Sequence, residues 1–315
     1  MKDDFFATVK LIKLNLRQHR VFLFLWILFP ALVVLATVVT TTIMFPTQQS
    51  LLDFSSTLND PIVVGMHGRV LDFSVAGYTA WRTKVLCSLL TGIFSFITVT
   101  RFTRQLEEAG RRDLVSAGAV GKYAPLAAAL ITAIGINMVM ALLMIFAMML
   151  GSLGFVGSLA HAVGIALCGI FFCAAAAVFA QIFSRSRSVT NASVALLAIL
   201  MAIHYGWNIK GQLGGAMYLS PLEWSYLIRP FAGERFIVLL PAVLIIALLI
   251  LFSFKLSASR DVGAGFIPDR KVNCASWLQV ISGLGMAYPE RVDLFLAGFL
   301  YSDRVCFGER IANYG

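Results

Sequence analysis

Charged residues are scarce in this sequence of 315 residues. Asp, Glu, Lys and Arg together make up 13% of the chain, whereas 59% of the residues are hydrophobic. Soluble domains carry about 25% charged and about 45–50% apolar residues, so this composition excludes an ordinary soluble protein. Several uncharged runs reach the roughly 20 residues that a helix needs to cross a bilayer. The sequence therefore predicts an all-α integral membrane protein, built as a bundle of about six transmembrane helices.

Motifs for catalysis and for metal binding are missing as well. The sequence contains no HExxH, no GxSxG and no pair of catalytic carboxylates, which are the usual signatures of metal-dependent and serine hydrolases. Its five cysteines are odd in number and show no CxxC or paired Cys/His spacing. We therefore expect no enzymatic activity, no cofactor, no metal site and no disulfide framework.

The central parts of the predicted spans also lack Asp, Glu, Lys and Arg. Secondary transporters place such residues within the membrane to relay protons or to bind cations, so the sequence disfavours that class. The chain has no ATP-binding loop either, because Gly121 and Lys122 are followed by Tyr123, and Ser116 stands where the motif needs its first glycine. Any ATP hydrolysis would have to come from a separate chain.

The chain is nevertheless basic, with 25 Lys and Arg against 16 Asp and Glu. The Lys and Arg residues lie at the ends of apolar runs, as topology signals do, which argues against a nucleic-acid partner. Sixteen of them lie in residues 2–20, 101–122, 185–187 and 255–271, on one side of the predicted spans, and six lie on the other. The positive-inside rule then predicts a cytoplasmic N-terminus in a multi-pass membrane protein.

Six apolar runs predict the spans. In the second span, Trp81 is expected in the membrane interface, and Arg82 and Lys84 are expected to extend their charges towards it. Residues 3–20 predict an amphipathic helix on the inner membrane surface, the alternative being a merely basic flank. The loop after the first span has room for one or two short helices. The predicted spans are residues 21–45, 78–100, 124–150, 159–183, 189–207 and 236–254.

A few small and polar residues within the spans predict helix packing. Gly169, Cys173 and Ala177 recur at every fourth residue and would let another helix approach closely. Asn137 and Asn191 are expected to form hydrogen bonds between helices. His161 and His204 are interpreted as packing or interfacial residues rather than as ligands.

A charged segment links the second and third spans. Glu107 precedes Arg111 by four residues, and Glu108 precedes Arg112 by four; this order supports a short exposed helix. From spacing alone such a helix is either a solvated connector or a docking helix for a cytoplasmic partner.

The same segment resembles the link after the second helix in ATP-binding cassette (ABC) permeases of the type 2 export family, in the branch described as exporters of polyketide antibiotics. Residues 76–82 and 219–236 resemble the family's entry to its second span and its loop before the sixth. Gln105, Leu106 and Asp113 depart from the pattern and leave its charges largely intact. The matching residues of the segment are Thr103, Arg104, Glu107, Glu108, Gly110, Arg111, Leu114, Val115, Ala117, Gly118, Val120 and Gly121.

The loop before the sixth span has a pattern of its own. Ser220, Pro221 and Glu223 fit a capping box with proline at the first helical position, so a short helix is expected to begin there. Trp224 and Tyr226 would then lie at the depth of the lipid headgroups. The resemblance implies a helical loop that closes the outer end of a translocation path, whereas the residues alone fit an interfacial helix without a gating role equally well.

The resemblance also implies two sets of site residues. A separate ABC ATPase would dock on a cytoplasmic coupling helix that contains Arg104, Glu107, Glu108, Arg111, Arg112, Asp113 and Leu114. An outer gate loop would contain Ser220, Pro221, Glu223, Trp224, Arg229 and Pro230.

The organisation that follows has three parts: an interfacial helix at residues 1–20, a six-helix permease domain at 21–256, and a cytoplasmic exit with the start of a second half at 257–315. The apolar run at 294–301 is too short to cross a bilayer as a helix. The sequence is thus expected to be the N-terminal half of a permease that pairs with a second half or with another copy, or else a truncated, inactive permease.

The resemblance implies the membrane subunit of an exporter in a bacterial cell membrane. Its partners would be the lipid bilayer, the ATPase and a hydrophobic or amphipathic compound such as an antibiotic. A membrane scaffold or regulator that does not transport is the alternative. An adjacent reading frame for an ABC ATPase would favour transport.

Overall fold

The computed structural model describes residues 4–108, 121–210 and 215–259. Six of the helices in this part are long and apolar enough to cross a membrane, and the protein is an all-α integral membrane bundle, as predicted. The six are α2, α6, α8, α9, α10 and α12 in the following order of helices: α1 (Thr8–Gln18), α2 (Arg20–Met44), α3 (Gln48–Asp53), α4 (Ser55–Leu58), α5 (Pro61–His67), α6 (Val75–Thr100), α7 (Leu106–Glu108), α8 (Ala124–Leu150), α9 (Phe155–Ile182), α10 (Ser186–Lys210), α11 (Trp224–Leu227) and α12 (Leu240–Ala258).

The observed bounds agree best with prediction where apolar residues reach both ends, as in α8. Elsewhere the helices extend into polar residues that apolarity alone does not detect. The second span begins at Val75 because the Ser74 hydroxyl accepts a hydrogen bond from Gly77 N at 3.0 Å and caps the helix. The fifth span runs over 186–210 instead of 189–207, since its first and last turns are polar.

A π-helical turn at Arg101–Gln105 joins α6 to α7 without a break. Such turns insert an extra residue into an α-helix and occur frequently at functional sites. Here the turn continues the second span directly into the charged segment, of which residues 109–120 lie outside the described part.

One end of the bundle, which we call the basic face, carries α1 and the C-terminal ends of α6, α9 and α12, the second, fourth and sixth spans. Asp4 O and Phe6 O accept hydrogen bonds from Tyr123 N and Gly121 N, at 3.0 and 3.1 Å, which fixes the segment before α1 against the start of α8. Lys122 Nζ donates to Ala258 O at the end of α12, at 2.7 Å. Because α1 leaves both its basic and most of its apolar side chains exposed, the arrangement fits a helix lying on a membrane surface.

The opposite end, the loop face, comprises residues 45–74, 151–154 and 215–235. The first of these loops contains three short helices, α3, α4 and α5, where one or two were expected. Asp60 starts α5 by accepting a hydrogen bond from Ile62 N at 2.8 Å, with Pro61 in the first turn. Gly68 ends this helix with a φ of 72°, a conformation that glycine adopts without strain.

Helix α9 is the central helix of the described bundle. In its most apolar window 83% of the residues are buried, against 22% in α10 and 22% in α12. It contacts α6, α8, α10, α11 and α12. Alanine, glycine and cysteine make up much of its buried surface, including the run Ala174–Ala177, so neighbouring helices approach it closely, as membrane helices do at small residues.

The predicted packing face at Gly169, Cys173 and Ala177 is confirmed, since all three are buried within α9. A Cβ atom on Gly169 would lie 2.0 Å from Asn137 Oδ1 of α8 and 2.4 Å from Thr91 Cγ2 of α6. Asn137 Nδ2 in turn donates to Ser95 Oγ of α6 at 3.0 Å, which confirms the predicted hydrogen bond between helices. The missing side chain at 169 is therefore what lets three helices meet around this amide.

Replacement of Gly169 by alanine is expected to destabilise the protein by about 1–3 kcal/mol, the usual cost of overpacking a core. Gly135→Ala is the matched control, because a Cβ atom there would meet nothing within 4 Å and alanine favours a helix. Thermal unfolding in detergent measures both variants. Equal midpoints for the two variants would contradict close packing at residue 169.

Candidate functional site

The charged segment that follows α6 is joined to the turn between α9 and α10. Arg104 Nε donates to Ala180 O at 2.5 Å, in the last turn of α9. The carboxylate of Glu108 accepts from Ser186 N at 2.5 Å and from Ser186 Oγ at 2.6 Å, at the first residue of α10. A cation thus lies at a helix C-terminus and an anion at a helix N-terminus, where the helix dipoles favour each charge.

The structure places the predicted docking residues at different depths. Arg104 is 1% exposed and forms an ion pair with Glu107 at 2.7 Å, so it positions the segment from inside the bundle. Glu108 is exposed. The other four members, and with them the predicted pairing partners of both glutamates, lie outside the described residues: Arg111, Arg112, Asp113 and Leu114.

The second span contains a buried charge at its loop-face end. Lys84 was expected to extend to the interface, but it is 3% exposed and its Nζ has no hydrogen-bond partner among the described residues. Its ammonium lies 4.0 Å from the centre of the Tyr226 ring, a cation–π contact. The prediction was wrong because Lys84 lies on the inner side of α6, under the loop of residues 215–235, whereas Arg82 is exposed as expected.

Glu223 is the buried acid of the same region. Burial raises the pKa of its carboxyl, but the hydrogen bond from His204 and the positive charge of Lys84 outweigh burial, so the net shift is downwards. The structure thus favours the ionised form of Glu223 inside the protein. One oxygen, Oε2, has no hydrogen-bond partner among the described residues.

His204 joins this carboxylate to α5 and α10. Its Nε2 lies 3.0 Å from Met66 O of α5 and 3.1 Å from Asn208 Nδ2, one turn further along α10. Its Nδ1 contacts Glu223 Oε1 closely. His204 therefore bridges α5 and the carboxylate of Glu223, beyond the packing role expected for it.

His161 forms a second contact between the loop and the spans. Its Nε2 lies 3.0 Å from Thr83 Oγ1 of α6, and its Nδ1 lies 3.4 Å from Ser225 Oγ of α11. It therefore links α9, α6 and α11, in line with a packing histidine. We name Lys84, His161, His204 and Glu223 the buried polar cluster.

The predicted outer gate loop lies directly over this cluster, but its local structure differs from expectation. The capping box was wrong: α11 begins at Trp224, Ser220 Oγ has no partner among the described residues, and Glu223 contacts His204 instead of capping the helix. Pro221 is buried in the turn before α11. The carboxylate that would cap the helix is taken up by its contact with His204.

Trp224 was expected at headgroup depth, and the structure buries it within the protein, out of contact with lipid. It is 0% exposed, its Nε1 donates to Tyr218 O at 2.9 Å, and its ring meets Phe171 of α9 edge-on at 5.8 Å. Trp81 is likewise buried, with Nε1 donating to Gly68 O at 2.8 Å. Both indole groups find a carbonyl acceptor within the protein, so neither needs the membrane interface.

The end of the loop is held in an uncommon backbone conformation. Arg229 and Phe231 both have positive φ, 58° and 62°, although neither is glycine. Arg229 is exposed, while Pro230 is buried beside Lys84 and Tyr226. Phe231 packs where Gly157 of α9 has no side chain, since a Cβ there would lie 2.2 Å from its ring. Such strain persists where surrounding contacts fix the chain, and it occurs often at functional sites.

The space within the cluster is small. A cavity of about 20 Å³ adjoins Lys84, Trp81 and Tyr226, which is room for one water molecule. No group of three or more His, Cys, Asp or Glu in the described ranges is arranged to hold a metal ion. The geometry is that of a closed ionic contact with no space for a solute.

Two spans connect the charged segment with the buried polar cluster. Helix α6 carries Lys84 near one end and leads to Arg104 at the other, while α10 carries His204 and begins at Ser186. At 1.5 Å per helical residue, Lys84 and Arg104 are about 30 Å apart, and Ser186 and His204 are about 27 Å apart. Both helices therefore end in charged hydrogen bonds on the basic face and in the cluster on the loop face.

A comparison with protein-family models finds no match. Over 272 residues the chain is 32% identical to a protein described as a multidrug efflux system permease protein, from Mycobacterium tuberculosis strain ATCC 25618 / H37Rv. The chain is similar to a permease. The alignment covers 85% of the chain and 49% of that protein, so the chain spans about half the length of the curated relative that it matches.

Removal of one charge from the buried polar cluster is expected to destabilise the fold. Glu223→Gln leaves Lys84 buried without its counter-charge, which costs about 3–5 kcal/mol. The double variant Lys84→Met/Glu223→Gln is expected to recover about 1–3 kcal/mol of this loss, the range for residues that interact directly. Thermal unfolding in detergent of the wild type, the two single variants and the double variant measures this coupling.

Glu234→Gln is the matched control, because Glu234 lies on the same loop and is only half-buried. Its oxygen accepts a hydrogen bond from Phe231 N that a glutamine oxygen also accepts. Additive effects of Lys84→Met and Glu223→Gln would show that the two charges do not interact.

Proposed function

We propose that the chain is a membrane-spanning permease subunit, or the N-terminal half of one, of a type 2 ABC exporter that moves a hydrophobic or amphipathic compound out of the cell. The observation that carries the proposal is the paired connection of the charged segment and the buried polar cluster by α6 and α10. The similarity to a multidrug efflux permease supports it. ATP hydrolysis belongs to a separate subunit.

In this proposal the basic face is cytoplasmic and the charged segment is where the ATPase docks. Its charged hydrogen bonds connect the docked subunit to two spans and to the end of α9, through Glu108 at Ser186 and Arg104 at Ala180. A displacement of the segment therefore moves helices and does not dissipate in a flexible linker. This favours a coupling role over that of a solvated connector.

The loop of residues 215–235 is the outer gate in this proposal. Beside the packing of Trp224 and Phe231 on α9, its polar contacts with α6, α9 and α10 are made by one side chain on each helix, namely Lys84, His161 and His204, so relative motion of these helices would break them. The strained residues Arg229 and Phe231 lie at its end and would relax when the loop leaves the bundle.

A second half, or a second copy, would complete the translocation path. Helices α10 and α12 are only 22% buried over their most apolar windows, so each leaves a wide apolar face for lipid or for another helix. The relative extends to about twice the length of the matched region. The apolar bundle suits an apolar or amphipathic solute, of the kind that antibiotics and other drugs represent.

Charge reversal in the charged segment tests docking. Arg111→Glu/Arg112→Glu avoids the glutamates that also hold α7 and α10 in place. We expect about tenfold or greater loss of the ATPase from affinity purification of solubilised membranes, since like charges placed across an interface cost several kcal/mol. Mass spectrometry of the co-purified proteins, with and without the variant, measures this loss.

Lys10→Glu/Lys13→Glu is the control, because it makes the same charge change on exposed residues of the same face. Equal recovery of the ATPase with the segment variant and with wild type would refute docking at this site. An ATPase that binds normally but drives no efflux would favour the non-transporting scaffold.

The gate is tested by the double variant Lys84→Met/Glu223→Gln in proteoliposomes. With both charges removed, the loop loses its ionic attachment, and leakage of a hydrophobic dye without ATP is expected to rise severalfold relative to wild type and to Glu234→Gln. Dye fluorescence across the vesicle membrane measures leakage. Unchanged leakage from a correctly folded double variant would assign the cluster to stability alone.

A further inference from the structure

An open cleft lies where α1 ends and α2 enters the membrane. It has a volume of about 780 Å³ and a lining that changes along its length, from Arg17, His19 and Arg20 to Val21, Phe22 and Leu25. One end is therefore basic and the other is apolar. The His19 ring packs 5.3 Å from the buried ring of Phe102, which ties the elbow between α1 and α2 to the second span.

The basic end of the cleft belongs to a longer positive stripe. Lys10, Lys13, Arg17 and Arg20 follow one another at intervals of three or four residues and are all exposed. The only acid in residues 4–52 is Asp4, at the far end of α1. Arg101 adds a further guanidinium, 4.2 Å from the centre of the Phe22 ring. An anion in the cleft would meet positive charge with no acid opposing it in the lining.

The apolar end lies on a spanning helix. Val21 and Leu25 are 66% and 60% exposed and stand on the first two turns of α2, one turn apart. The ring of Phe22 meets Trp26 edge-on at 5.2 Å and supports this wall. Exposed aliphatic side chains at the start of a membrane helix face acyl chains, because no water is available beyond the headgroup region.

We propose that this cleft is a binding site for an anionic phospholipid. Arg17 and Arg20 hold the phosphodiester, since guanidinium groups donate paired hydrogen bonds to phosphate oxygens, and the first part of an acyl chain lies along Val21 and Leu25. An acidic protein segment would satisfy the arginines but would leave the aliphatic wall in the membrane unused. The site is independent of what the protein transports.

The test measures lipid binding to the purified full chain in neutral detergent micelles, where no charged bilayer attracts the stripe as a whole. Phosphatidylglycerol is titrated and the bound molecules are counted by native mass spectrometry, with phosphatidylcholine of the same acyl chains in parallel. We expect saturable binding of phosphatidylglycerol, and about thirtyfold weaker binding to Arg17→Gln/Arg20→Gln, since each basic residue near an anionic headgroup contributes about fivefold.

Two further variants separate the ends of the cleft from the rest of the stripe. Lys10→Gln/Lys13→Gln removes the same charge from exposed residues outside the lining, and it is expected to bind phosphatidylglycerol within about twofold of wild type if the cleft is a discrete site. Val21→Ala/Leu25→Ala keeps the charge and removes the aliphatic wall, and severalfold weaker binding is expected. Its smaller side chains keep the helix intact, so it tests the cleft even if the arginine variant folds poorly.

Several results would overturn the proposal. Equal losses in the arginine and lysine variants would show attraction by the whole stripe. Displacement of the lipid by glycerol phosphate at equal concentration would make the site one for a free phosphate. Normal lipid binding by the arginine variant, together with loss of the co-purified ATPase, would make the cleft a protein contact.

Discussion

The buried contact of Glu223 with His204, with the charge of Lys84 beside it, is the constraint on which the loop face depends. Charges in an apolar bundle are costly unless they meet one another, so the three side chains fix the positions of the elements that carry them. Those elements are the two spans α6 and α10 and the loop before the last span. These electrostatic contacts hold the loop against α6 and α10. Hydrophobic packing alone would leave many arrangements of the loop on these helices possible.

The basic face follows the same logic with one buried and one exposed side chain. Arg104 and Glu108 satisfy a carbonyl at the end of α9 and an amide at the start of α10, groups that have no partner within their own helices. Between these two ends, α9 supplies a packed interior of small residues around Asn137. A bundle with a closely packed centre and charged contacts at both ends transmits displacement along its helices, because its middle does not deform easily.

Much of the fold was predictable from the sequence, because membrane helices are specified by the length of their apolar runs. Helix α8 and the packing face at Gly169 follow from local patterns alone. The buried polar cluster did not, since Lys84, His204 and Glu223 are far apart in sequence and each has an ordinary local explanation as an interfacial or capping residue. A signal was present in retrospect: the three lie at the same end of their spans, a coincidence that only the antiparallel order of the helices reveals.

The π-helical turn at Arg101–Gln105 sets the angular position of everything that follows it. One residue corresponds to about 100° of rotation in an α-helix, so a related chain that lacked a single residue in this turn would direct its two glutamates towards a different neighbour. Short insertions or deletions at this point would thus change which partner surface the charged segment meets while leaving all the membrane helices untouched. Divergence of partners among related proteins could proceed through this one turn.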